Sequence, residues 1–189
     1  MTEPTRCGWA TRSEAERVYH DVEWGVPKRD EGTLFEFLIL EGAQAGLSWR
    51  TILEKRENYR AAMDGFDPEA MARYGETERA RLLGDAGIVR NRLKIDAAIG
   101  NARAYLALRD AEGGLAPYVW GFVDGEPIIN RWRSMAEAPT TTALSDRLSK
   151  DLKKRGFRFV GSTIVYSYLQ AVGVISDHVV DCFRHPDRA

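Results

Sequence analysis

The stretch LFEFLILEGAQAGLSW, Leu34–Trp49, decides how the chain is read. Thr33 and Glu36 form a T-x-x-E pattern, the signature of a capping box that opens a helix. The residues that follow are apolar on nearly every side of a 3.6-residue period, so this helix is expected to be buried all round. Gly42 and Gly46 are expected to break it, and Ser48 to cap the next helix at Trp49. A carboxylate closes the buried run. Glu41 shares a helix side with Phe37 and Leu38, four and three residues earlier, and is poorly solvated there unless something pairs with it. A salt bridge or a bond to nearby backbone is one reading. The other is a carboxylate waiting for a ligand that is cationic or rich in donors.

Helical signals dominate the rest of the chain. WRTILEKRENYRAAM places Ile52, Leu53, Tyr59 and Met63 on one stripe. Asp67-Pro68 is a cap followed by proline at the first helical position. ETERARLL is a short helix, GDAGI a tight turn, and residues 89–111 a long helix with Leu93, Ala97, Ile99 or Gly100, Ala104 and Leu108 on its inner side. PYVWGFV reads as helical, the IIN of GEPIIN as a short strand, and ALSDRLSKDLKKRG and TIVYSYLQAVG as closing helices. The expectation is an all-α fold of eight to ten helices, one domain or two small lobes sharing a core.

Composition narrows the function classes. The net charge is −1, so any nucleic-acid site must be a local patch rather than the whole surface. No apolar run approaches the roughly 20 residues of a membrane helix, and MTEPTRCGWATR lacks the apolar core of a signal peptide. A cytoplasmic address and no membrane partner are expected. The two cysteines, Cys7 and Cys182, lie near opposite ends, where metal binding or plain burial is favoured over a disulfide.

His20 and His178 complete a possible ligand set. His178-x3-Cys182 puts both side chains on one face if the segment is helical, and two thiolates with two imidazoles fill a structural zinc shell. The same residues also read as core cysteines with hydrogen-bonded histidines, or as a Cys182–His178 nucleophilic pair. LLGDAGIVRNRLK sets a glycine turn before a helix start, with Arg90, Arg92 and Lys94 following at once. Backbone N–H groups at such a turn suit a phosphate, and a plain turn between helices is the alternative. RLSKDLKKRGFR, Arg147–Arg158, is a second basic run, which matters only beside that turn.

Taken in order, CGW at Cys7–Trp9, YHDVEWGVP at Tyr19–Pro27, LEGAQAGLSW, ILEKRENYR, DAGIVRNRLKI, GNARAYL, LKKRGFRFVGSTIVYSYLQAVG and DHVVDC resemble the 3-methyladenine DNA glycosylase I family over nearly the whole chain. The resemblance implies a helix–hairpin–helix DNA glycosylase fold, one unit over residues 1–189 in two closely packed lobes. Both termini, about 1–30 and 160–189, would share the lobe with one structural Zn2+. It implies a monofunctional, monomeric enzyme acting on damaged double-stranded DNA and releasing free 3-methyladenine. By the same resemblance Cys7, His20, His178 and Cys182 ligate zinc, Glu41 binds the base, Trp49 stacks on it, and Tyr19, Trp9 and Trp24 wall the pocket. Gly46 and Leu47 form the loop that enters the gap left by the flipped nucleotide, and Gly87, Arg90, Arg92 and Lys94 are the candidate phosphate contacts. Two positions depart from the family pattern: Glu16 stands where an aromatic is usual, and Ala43 where glutamine is. Asp124 lies in the turn-like VDGEP and is read as a turn residue rather than a catalytic aspartate.

Overall fold

A computed structural model describes residues 3–188, so the first two residues and the last of the expected unit lie outside the described residues. Nine α-helices occur among them: α1 Glu14–Val22, α2 Glu31–Gln44, α3 Trp49–Ala62, α4 Pro68–Ala72, α5 Glu76–Gly84, α6 Arg92–Glu112, α7 Leu115–Gly121, α8 Ala143–Lys154 and α9 Ser162–Ala171. Strand is confined to β1, Ile128–Ile129, paired in parallel with β2, Ile175–Ser176. The all-α expectation holds, and the one strand expected at IIN is β1.

α2 is the centre of the molecule. Every residue from Phe37 to Ala43 is buried, and the helix packs on α3, α6, α7 and α9. Its start differs from the expected one. Asp30, not Thr33, is the cap, and its carboxylate accepts the Thr33 N–H at 2.8 Å. Glu36 is unavailable for a capping box because Arg56 and Arg60 hold it at 2.6 and 2.8 Å. Gly42 does not break the helix. A Cβ there would meet Phe159 Cβ at 3.4 Å, so glycine serves the close packing of α2 against the segment entering α9. The break comes at Gly46, whose φ of +77° few L residues adopt.

Ser48 caps α3 by accepting the Thr51 N–H at 3.2 Å, and Asp67 caps α4 with Pro68 at its first position. α5 and α6 flank the 85–91 turn as expected. Leu93 departs from its expected place: it is 68% exposed in the first turn of α6, whose buried side runs through Ile95, Ile99, Ala102 and Leu108. The ends of the chain meet, with Phe183 N–H donating to Thr5 O at 2.9 Å.

Candidate functional site

One cavity of about 310 Å³ is lined by Trp9, Tyr19, Trp24, Glu41 and Trp49, the five residues assigned to a base pocket from the sequence. α1 supplies Tyr19, with Trp24 just beyond its end. α2 supplies Glu41, and α3 opens with Trp49. The rings form a box. Tyr19 and Trp49 have centroids 5.4 Å apart, and Trp9 meets Trp24 edge-on at 5.1 Å. Phe37, one helical turn before Glu41, lies nearly parallel to Trp49 at 6.4 Å.

Glu41 is 3% exposed, and no hydrogen bond or ion pair reaches its carboxylate among the described residues. Its Oε2 is buried and unpartnered, and so is the indole Nε1 of Trp49. Burial alone pushes the Glu41 carboxyl up to about 8. Among the described residues nothing offsets that cost, so the salt-bridge reading of Glu41 finds no partner. Tyr19 is likewise raised, first by burial and then by the Glu41 charge. A buried acceptor beside flat rings suits a flat ligand that brings donors or positive charge.

The loop after α2 reaches the rim of the cavity. Leu47 is 38% exposed, and its N–H donates to Gln44 O at 2.7 Å. Gln44 Nε2 returns a bond to Leu47 O at 2.9 Å. Lys94, expected at a phosphate, instead turns its ammonium inward. It donates to Ala43 O at 2.7 Å and Ala45 O at 2.6 Å, closing the carboxyl end of α2, and burial lowers its pKa. These carbonyls have no intrahelical partner, and a cation there also meets the negative end of the helix dipole. The Gly87 N–H is also engaged, donating to Asp85 Oδ1 at 2.7 Å. Arg90 and Arg92 remain exposed beside the turn. In the second basic run, Arg155 is held by Asp151 at 2.7 Å and Glu112 at 2.6 Å.

Behind the indoles lies the second constellation. Cys7, His20, His178 and Cys182 are all buried, and their ligand atoms lie within 4.8 Å of one another. Cys182 Sγ is 3.3 Å from His20 Nε2 and 3.5 Å from His178 Nδ1, and Cys7 Sγ is 3.7 Å from His178 Nδ1. These last three separations are close to the edges of a tetrahedron with metal bonds of about 2.0–2.3 Å. The expected helical turn is absent, because 178–182 follows β2 as loop and turn. The histidines are oriented from outside. His20 Nδ1 donates to Asp21 at 2.8 Å, and His178 Nε2 to Trp24 O at 3.1 Å, so each ring turns its other nitrogen, with a lone pair, toward the sulfurs. Arg6 fixes Asp21 through two parallel bonds at 3.0 and 2.9 Å. Hydrogen bonding to Cys7 and to both imidazoles lowers the Cys182 thiol, while Cys182 raises Cys7. A bound dication would hold both as thiolates. The donor set fits zinc and offers it four ligands with no open position. Trp9 packs on His20 at 5.4 Å and Trp24 on His178 at 4.6 Å, so the cluster and the cavity share a wall.

Sequence reasoning missed Phe37, Ser167 and Gln170 as parts of this site; the last two come from α9. Glu16 lines the cavity at 7% exposure, with Oε2 accepting the Ser13 hydroxyl at 2.9 Å.

The fold and the cavity define a helical protein with a base-sized aromatic pocket, and comparison with known proteins agrees. The methyladenine glycosylase family profile matches residues 9–185. DNA-3-methyladenine glycosylase 1 of Escherichia coli is 52% identical over 96% of this chain and 97% of its own. A crystal structure of 3-methyladenine DNA glycosylase I covers 96% of this chain and 100% of its own with TM-score 0.94 and 52% identity. A structure of the Staphylococcus aureus enzyme, describing its recognition of 3-methyladenine, covers 96% of both chains with TM-score 0.93 and 36% identity. The chain belongs to the methyladenine glycosylase family.

Proposed function

We propose that this protein hydrolyses the N-glycosidic bond of 3-methyladenine in alkylated DNA, releases the free base and leaves an abasic site without cutting the strand. The observation that carries the reading is the Glu41 carboxylate, buried and unpaired at the wall of an aromatic cavity. The E. coli and Haemophilus influenzae relatives are both named for 3-methyladenine glycosylase activity, the latter 43% identical over 94% of this chain.

Methylation at N3 leaves the base cationic while it is attached to the sugar, so it is already a good leaving group. Glu41 accepts hydrogen bonds from the amino edge of the base and opposes its charge, while Trp49 and Tyr19 supply stacking and shape. Stacking contributes about 1–3 kcal/mol per base. A desolvated cation over an aromatic face adds up to about 2 kcal/mol. Together these offset the few kcal/mol that extracting a base from the duplex costs. The bond from C1′ to the base then breaks and its electron pair neutralises the base. Water adds at C1′ and its proton passes to solvent. An uncharged adenine gains less from this pocket and leaves less readily, so discrimination follows from the chemistry.

No lysine lines the cavity among the described residues, and the amine of Lys94 is occupied by two carbonyls. Both facts support a reaction that stops at base release, because a lyase step needs a free amine nucleophile. Gly46 and Leu47 form the wedge at the rim. The Gly87 turn with Arg90 and Arg92 meets the phosphates as a helix–hairpin–helix element. One Zn2+ on Cys7, His20, His178 and Cys182 joins the ends of the chain and supplies no chemistry. The protein works as a single two-lobed unit and a monomer. Incubation with a methylated duplex should release 3-methyladenine and leave an intact, alkali-labile strand. Release of no purine, or direct nicking, would contradict the proposal.

A further inference from the structure

Asp177 is fully buried and accepts four side-chain hydrogen bonds. Asn130 Nδ2 donates at 2.7 Å, Trp132 Nε1 at 2.9 Å and Gln170 Nε2 at 2.7 Å, and the Tyr166 hydroxyl is the fourth donor. The β1–β2 pairing creates this convergence. It lays the segment after Ile129 beside the one after Ser176, so Asn130 and Trp132 arrive from one side and α9 from the other. A carboxylate with four donors has no proton to give, so it can only accept. The Gln170 amide must therefore present nitrogen to Asp177, and its oxygen is forced to the opposite side of the amide. That oxygen has no hydrogen-bond partner among the described residues and is not shut off from solvent, and Gln170 lines the base cavity. A free glutamine is indifferent to an amide flip, as it can donate or accept. Here the buried acid removes the choice.

We propose that Gln170 Oε1, oriented by Asp177, is a specificity-determining acceptor in the base pocket that selects an exocyclic amino group over a carbonyl at the six-position of the purine. The inference rests on the base-excision reading above. Glu41 faces the cavity from α2 and Gln170 from α9, so two acceptors converge on the ligand. The amino group of 3-methyladenine supplies two N–H donors. The carbonyl of 3-methylguanine would set oxygen against oxygen. Charge gives part of this selectivity, because 3-methylguanine attached to the sugar can lose its N1 proton and become neutral. Stacking does not separate the two bases, and the fixed amide oxygen adds its own discrimination at the six-position. Gln170 would contact the substrate, and Asp177 is a positioning residue.

The test compares release of 3-methyladenine and 3-methylguanine from one methylated duplex. Gln170→Met keeps the length and bulk of the side chain and removes the acceptor. It should lower the release ratio of methyladenine to methylguanine about tenfold, the factor carried by one ordinary hydrogen bond. Asp177→Asn, which no longer dictates the amide orientation, should lower the ratio in the same direction. Thermal midpoints measured alongside identify any variant that fails to fold. Should Gln170→Met be such a variant, Gln170→Asn, which withdraws the oxygen by one methylene, takes its place with the same expectation. An unchanged ratio in folded variants, including an equal loss of both activities, overturns the inference. Wild-type protein that releases no 3-methyladenine would instead overturn the proposed function, so the two failures are distinguishable.

Discussion

Lys94 Nζ donates to the carbonyl of Ala45 at 2.6 Å, joining the first turn of α6 to the loop that carries Gly46 and Leu47. The helix after the basic turn is thereby fastened to the rim of the base cavity. Lys94→Met should loosen that loop. Excision from duplex DNA should fall by about tenfold, and affinity for free 3-methyladenine should change little, because the cavity walls are untouched. Parallel measurement of the two quantities separates this role from a phosphate contact, which would instead alter the salt dependence of DNA binding.

Arg90 and Arg92 are exposed cations beside that turn, and among the described residues only a distant contact at 3.8 Å, from Arg92 to Asp96, engages either of them. Replacing either by alanine should weaken DNA binding for all sequences alike. Each should reduce the slope of log affinity against log salt by about 1. Titrations with a duplex carrying an abasic analogue over a range of salt would report it.

The metal cluster predicts its own behaviour. Elemental analysis of protein purified without added metal should find one zinc per chain, held by Cys7, His20, His178 and Cys182. Cys182→Ser should lower the thermal midpoint and also weaken free-base binding, because the imidazoles of the cluster back Trp9 and Trp24. Asp21→Asn, which weakens the bond that orients His20, should reduce metal affinity by about 10–100-fold. Competition with a chelator measures that change.

The elevated Glu41 carboxyl, at about 8, makes both stability and activity depend on pH. In the unfolded chain the same group titrates near about 4.3. Between those values the folded state binds more protons than the unfolded one, so the Glu41 contribution is most favourable at low pH and declines as pH rises toward 8. Glu41→Gln should remove this decline, read as a flatter pH dependence of the urea midpoint between pH about 5 and 8. Activity should run the other way. For a permanently cationic substrate, kcat/KM should rise with pH through the free-enzyme carboxyl value, and Glu41→Gln should depress it at every pH.

Much of this site was legible in the sequence, for a physical reason. A helix apolar on every side has no solvent face, so its carboxylate had to be either paired or waiting, and Phe37–Glu41 said so locally. Ser48 and Asp67-Pro68 were legible because caps are local chemistry. The misreadings came from tertiary competition. Glu36 matched a capping box, but Arg56 and Arg60 from α3 claim it and Asp30 caps instead. Lys94 looked like a phosphate cation until the end of α2 arrived beside it. His178 and Cys182 have helical spacing but take their geometry from the turn after β2. Gln170 gave no local signal at all, because its orientation is set by Asp177, itself fixed by donors from the far side of the small sheet.

The central claim is that a buried carboxylate recognises a base because that base is a cation. The direct measurement is a carboxyl NMR titration of Glu41, free and saturated with 3,9-dimethyladeninium, a fixed cation substituted at N9 as the base in DNA is. The carboxyl should titrate at about 8 in the free protein and at a lower pH in the complex, as positive charge enters the site. A Glu41 that titrates at the same pH with and without the bound cation would contradict it.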